Sequence, residues 1–122
     1  MESTLRRTFT RVGINKSVSY NGLDVHSNVI DRYMGVALNI SQNGIQLETD
    51  RMIQTRHILL MFYDYGSKYV SAKGKVVYTR QDEPGKFKAG INLQGNPRKN
   101  LLFIKKLIRS YHYQKKVPIF IS

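Results

Sequence analysis

Apolar and polar residues alternate with a period of two over most of the chain. Val36, Leu38 and Ile40 alternate with Ala37, Asn39 and Ser41, the pattern of a strand with one face in a core. Gly44 interrupts, and Ile45 and Leu47 then alternate with Gln46 and Glu48. From Ile58 to Asp64 the chain is almost continuously apolar, which predicts a central strand. The turn residues Asp64-Tyr65-Gly66-Ser67 separate it from another strand running from Lys68 to about Arg80, with Gly74 marking a bulge or bend. Asp82-Glu83-Pro84-Gly85 predicts a turn. After it, Phe87, Ala89, Ile91 and Leu93 alternate with Lys86, Lys88, Gly90 and Asn92. Nearer the start, Asn15 to Tyr20 reads as a strand ended by the turn dipeptide Asn21-Gly22. Residues 23–35 show no clear period.

The spacing changes near the C-terminal end. Asn96 suits a helix N-cap and Pro97 the first helical position. Leu101, Ile104, Ile108 and Tyr111 follow at helical spacing, with Leu107 beside them, so a helix is expected over 97–114. The tail Val117-Pro118-Ile119-Phe120-Ile121 is apolar. Short antiparallel strands followed by one helix predict an all-β domain with a C-terminal helix, built as a small antiparallel barrel. The 122 residues suit one domain. Its expected parts are a flexible segment over 1–11, a barrel over 12–95, the helix, and a tail over 115–122.

Composition narrows the functions. With no cysteine, disulfide scaffolds, zinc–cysteine sites and thiol catalysis are excluded. No apolar signal region follows Met1, and the run Ile58–Tyr63 is far below the roughly 20 residues that span a bilayer. A cytoplasmic protein is the expectation. Twenty Lys and Arg against eight Asp and Glu give +12, which favours anionic partners. The excess is uneven. All eight acids lie in the first 83 residues, beside eleven basic residues, leaving +3 there. The last 39 residues hold nine basic residues and no acid.

Two groups of residues carry candidate chemistry. Arg7 and Arg11 are four apart, with Arg6 adjacent. A guanidinium fork matches phosphate oxygens and the O6/N7 edge of guanine, and its flat face stacks on bases. Taken alone, the pair also fits a solvated basic tail. In Asn39-Ile40-Ser41-Gln42-Asn43-Gly44, an inward Ile40 leaves Asn39 and Ser41 on the outward face. Both offer short hydrogen-bonding groups, and Gly44 allows a left-handed turn or a close backbone approach. Taken alone, this also fits an ordinary hairpin.

Arg-x-x-x-Arg followed some thirty residues on by Asn-x-Ser-x-x-Gly resembles the PilZ domain family. The strand pair Gly74-Lys75-Val76-Val77-Tyr78 and Ala89-Gly90-Ile91-Asn92-Leu93, and the terminal helix, share the resemblance, which spans roughly Leu5 to Lys116. It implies a six-stranded antiparallel PilZ-like barrel that binds the second messenger cyclic di-GMP. It further implies ligand contacts at Arg6, Arg7, Arg11, Asn39, Ser41 and Gly44, with the arginines wrapping over the dinucleotide. Asn39 stands where the family accepts Asp or Asn.

Other constellations carry less. His26, His57 and His112 lack metal-ligand spacing, so no metal is expected, and no cofactor beside the nucleotide ligand. No nucleophile elbow or Walker loop occurs, and no enzyme activity is expected. The expected role is a receptor and adaptor that signals to a downstream protein partner. The basic residues Arg98, Lys105, Lys106, Arg109, Lys115 and Lys116 suit contact with an acidic or anionic surface. The same region supports a second reading, a small barrel that binds nucleic acid.

Overall fold

A computed structural model describes residues 11–41, 43–64 and 67–116, with side chains through Gln114. Six strands follow in order: β1 (Val12–Leu23), β2 (Val29–Ile40), β3 (Gly44–Thr49), β4 (His57–Tyr63), β5 (Tyr69–Glu83) and β6 (Lys86–Leu93). Helix α1 (Pro97–Lys116) comes next. Every strand pairing is antiparallel, and the sheet closes on itself in the order β1-β2-β3-β6-β5-β4. Closure leaves no long unpaired edge to template association. Inward side chains from the strands, among them Val18, Ile40, Leu47, Ile58, Leu60 and Ile91, form one buried core.

The helix starts where its cap dictates. Asn96 Oδ1 accepts hydrogen bonds from the Arg98 and Lys99 amides at 2.8 and 3.3 Å, donors that a helix start otherwise leaves unpaired. Its deepest apolar residues are Phe103, Ile104 and Leu107. Leu101, Ile108 and Tyr111, expected on the inward stripe, are half-buried at its flanks. Phe103 meets Phe62 of β4 edge-on, with ring centroids 5.4 Å apart. At the far end Lys16 Nζ donates to Gln114 Oε1 at 2.9 Å, tying α1 to β1. Among the described residues no helix is long and apolar enough to cross a membrane.

Three local expectations are corrected. Asn21-Gly22 forms no turn: both lie inside β1, paired with Arg32 and Asp31 of β2 and with Leu59 and Ile58 of β4. The chain reverses after Leu23, where Asp24 Oδ1 accepts from the His26 and Asn28 amides at 2.8 Å. Hydrogen bonding from the Asn28 amide, with that from His26, holds the Asp24 carboxyl below its ordinary pKa. A side chain that caps its own loop thus outweighs a turn dipeptide.

The second correction concerns β2. Ala37 and Ile40 are fully buried, whereas Val36 and Leu38 are half-buried. Leu38 is unpaired between Ala37↔Leu47 and Asn39↔Gln46, a bulge that resets the alternation. The third concerns Gly74, which stays in register with Ile58 and Leu93. A Cβ there would overlap the Ile91 side chain, so this glycine serves core packing. β5 is irregular at Val77, unpaired between Val76↔Ile91 and Tyr78↔Gly90, and again at Asp82, between Gln81↔Phe87 and Glu83↔Lys86.

Candidate ligand-binding site

Register places one row of residues across five strands on the outside of the barrel. Gly13 of β1 pairs with Asn39 of β2, Asn39 with Gln46 of β3, Gln46 with Gly90 of β6, and Gly90 with Tyr78 of β5. Neighbours in such a row face the same way. The β2 bulge and the β5 bulge flank the row. Each re-aims the residue that follows it, Asn39 in one case and Tyr78 in the other.

The side chains of the row are linked. Asn39 Nδ2 donates to Gln46 Oε1 at 2.8 Å, and Gln46 Nε2 donates to the Tyr78 hydroxyl at 3.2 Å. The glycine at the Tyr78 end of this link leaves room: a Cβ added at Gly90 would overlap the Tyr78 ring, whereas one at Gly13 would meet Asn39 Oδ1 at an ordinary 3.9 Å.

Beside the row the chain turns from β2 to β3. The Ser41 amide donates to the Gly44 carbonyl at 2.9 Å, and the Leu93 amide donates to the Asn43 carbonyl at 2.8 Å. Gly44 pairs with Asn92 of β6. A Cβ at Gly44 would sit 3.3 Å from both the Ile91 carbonyl oxygen and Ser41 Oγ, tighter than most such contacts. Of the two roles open to this glycine, close approach is therefore the one the backbone uses. Arg11 precedes β1 two residues before Gly13, so it shares the outward face.

These elements enclose a surface cavity of about 280 Å³. Arg11, Asn39, Ser41 and Gly44 all line it, although they come from three places in the chain. Arg6 and Arg7 lie outside the described residues, as do the side chains of Lys115 and Lys116 and residues 117–122. Sequence reasoning missed Gln46, Tyr78 and Asn92, which line the same cavity. Gln46 was legible as the residue facing Asn39 across a hairpin. Tyr78 was not, because its aim depends on the bulge at Val77.

Arg11 is the cationic group of the cavity, and no carboxylate lines it among the described residues. Amides, hydroxyls and one guanidinium make it a hydrogen-bonding site suited to an anion with polar edges. The nearest acid along β5 is Asp82, which Lys88 Nζ meets at 3.0 Å and Arg80 at 3.8 Å. The Lys88 hydrogen bond, with the charges of both cations, keeps the Asp82 carboxyl below its ordinary pKa. It therefore stays ionised near neutrality, paired with those two cations.

A closed six-stranded antiparallel barrel with a C-terminal helix and a polar external cavity defines the class of protein. The model of the PilZ domain matches residues 5–112, and the chain belongs to that family. No curated protein matches it in sequence. Among solved structures it is similar to the Bacillus subtilis inhibitor of motility, MotI/DgrA, at TM-score 0.59 and 14% identity, covering 90% of this chain and 53% of that one. It is also similar to MrkH of K. pneumonia in complex with c-di-GMP, at TM-score 0.55 and 15% identity, covering 91% and 54%. Apo MrkH matches at TM-score 0.52 and 13% identity, covering 88% and 51%. The chain thus spans about half the length of these structures, and at such identities the likeness is one of fold.

Proposed function

We propose that this protein is a receptor for cyclic di-GMP that acts as a signalling adaptor in the cytoplasm. The observation that carries the proposal is the convergence of Arg11, Asn39, Ser41 and Gly44 on one cavity free of described carboxylates, in a member of the PilZ family. The complex of MrkH with c-di-GMP, built on the same fold, supports it.

In this reading Arg11 takes a phosphate or the O6/N7 edge of guanine. Asn39 and Ser41 meet the ligand from the barrel wall, and Gly44 keeps the turn close. Arg7 is four residues from Arg11, a reach of at most about 14 Å along an extended chain. It can therefore meet the ligand from the side facing Asn39, and Arg6 stands next to it. We read it as a binding site: its described lining offers amides, hydroxyls and a guanidinium, and no carboxylate or histidine. Signal would leave through a protein partner. Arg98, Lys105 and Arg109 are exposed on α1 and Lys106 is half-buried, a basic face suited to an acidic surface.

Calorimetric titration with cyclic di-GMP, cyclic di-AMP and GMP tests the proposal. Cyclic di-GMP is expected to bind at least about tenfold more tightly than cyclic di-AMP, because adenine replaces the O6 acceptor with an amino donor that faces arginine donors. GMP should be weaker still, having a single base. No heat with cyclic di-GMP at micromolar protein, or equal affinity for the two cyclic dinucleotides, would sink it.

A further inference from the structure

The almost continuous apolar run of β4 is more than a barrel strand needs. In a closed antiparallel barrel each strand has the core on one face only. Ile58, Leu60 and Phe62 face that core, so Leu59, Met61 and Tyr63 point outward. Met61 is buried, yet it lies outside the core cluster. Helix α1 does not explain this, because its Phe103 packs against the inward Phe62.

Register extends the outward face across four strands. Met34 of β2 pairs with Ser19 of β1, Ser19 with Met61 of β4, and Met61 with Ser71 of β5. In the next row Arg32 pairs with Asn21, Asn21 with Leu59, and Leu59 with Lys73. The face is hollowed into a groove of about 490 Å³. Asn21 and Met61 form its floor, and Asn21 Nδ2 donates to Met61 Sδ at 3.7 Å, a weak acceptor. Met34 and Tyr69 form its rims, 62% and 55% exposed.

The charge around the groove is of one sign. Arg32 lines it, and no carboxylate does among the described residues. Lys73 stands in the same row, its Nζ donating to Ser27 Oγ at 3.0 Å. Asp31 faces the other way: its Oδ2 would lie 3.3 Å from a Cβ on Gly22, and it lines a separate cavity with Arg51.

We propose that this groove docks an amphipathic segment of a partner protein, whose apolar side chains fill it and whose carboxylates meet Arg32 and Lys73. The proposal gives the adaptor reading a partner of stated chemistry and rests on that reading. Grouped apolar side chains on an exposed wall mark an interaction site, and methionine adapts its shape to a partner. Charge selects the occupant. A second copy of this face would bring Arg32 and Lys73 against like charges. The chain's own apolar tail follows Lys115 and Lys116 and carries no acid. A flat lipid surface would leave the floor at Asn21 and Met61 unfilled. The groove shares no lining residue with the nucleotide cavity.

The probe is a phage-displayed library of random peptides, selected against the full chain with and without cyclic di-GMP. Enriched peptides are expected to combine Asp or Glu with Leu, Ile or Phe. Met34→Asp should weaken their binding about tenfold or more, as the loss of an anchoring pocket does. Arg32→Glu should weaken it similarly and turn a repeated selection toward Lys- and Arg-bearing peptides. Both positions are exposed, so both variants should unfold at the parent's temperature and keep its affinity for cyclic di-GMP.

No enriched peptide in either selection overturns the proposal. So do enriched peptides that bind Met34→Asp and Arg32→Glu as tightly as the parent, or that are lost instead with Lys105→Glu and Arg109→Glu, which would move the contact to α1. A parent dimer in sedimentation that Met34→Asp dissolves assigns the groove to a second copy. Binding to anionic vesicles that Met34→Asp abolishes assigns it to a membrane. Either result overturns the proposal as well. All of these outcomes leave the nucleotide site standing, because calorimetry with cyclic di-GMP tests that site separately.

Discussion

Replacing Arg7 and Arg11 together by alanine is expected to weaken cyclic di-GMP binding by about a hundredfold or more. A hydrogen bond to a charged partner contributes about 1.5–3 kcal/mol, so two guanidinium contacts together supply at least ~3 kcal/mol. Arg11 is exposed and stands outside the core, so its loss should shift unfolding by no more than about 0.5 kcal/mol. The conservative change separates charge from shape. Arg11→Lys keeps the cation and loses the planar fork, so it should fall between parent and alanine. Calorimetry paired with thermal unfolding decides the matter. A double variant that keeps parental affinity would contradict the assignment of these residues to the ligand.

Phe103→Ala is expected to cost about 3–5 kcal/mol of folding stability, the range for removing a large buried aromatic side chain. Phe103 is 2% exposed, and its ring meets Phe62 edge-on at 71°. With Ile104 and Leu107 it fastens α1 to the barrel. Domains of this kind have about 5–15 kcal/mol in total, so the loss is a large share. A urea series should show a lowered midpoint. The strands that carry the cavity are β2, β3, β5 and β6, and α1 lines none of it among the described residues. Ligand affinity measured well below the midpoint should therefore change little. A midpoint equal to the parent's would show that the helix is not held by this contact.

Much of the barrel was legible because its strands bury one face strongly. In β6, Ala89, Ile91 and Leu93 face the core as their alternation predicts, and in β3 Ile45 and Leu47 do the same. The phase failed in β2, where Leu38 is unpaired, and in β5 the expected irregularity at Gly74 falls instead at Val77. A bulge is a property of two strands in register, and a single strand's pattern does not carry it. Residues 23–35 were unreadable for a different reason. They comprise the end of β1, the Asp24 loop and the start of β2, where Val29, Ile30 and Met34 are exposed. Apolar residues that face solvent break the contrast that periodicity relies on.

The candidate site divides along the same line. Arg11, Asn39, Ser41 and Gly44 stood out as motif residues, and the fold brings them to one cavity. The chain Asn39–Gln46–Tyr78 did not, since it runs between three strands that are neighbours only after the barrel closes. Net charge was a poor guide. The basic excess is concentrated in the last 39 residues, whereas Arg11 is the cation lining the cavity among the described residues.

The most direct measurement is an amide-resolved NMR titration of isotopically labelled protein with cyclic di-GMP. Saturating shifts are expected at Asn39, Ser41, Gly44, Gln46, Tyr78 and Gly90, with Phe103, Ile104 and Leu107 unmoved. Shifts confined to the basic face of α1, at Arg98, Lys105 and Arg109, or no shifts at all, would contradict a nucleotide site on this wall of the barrel.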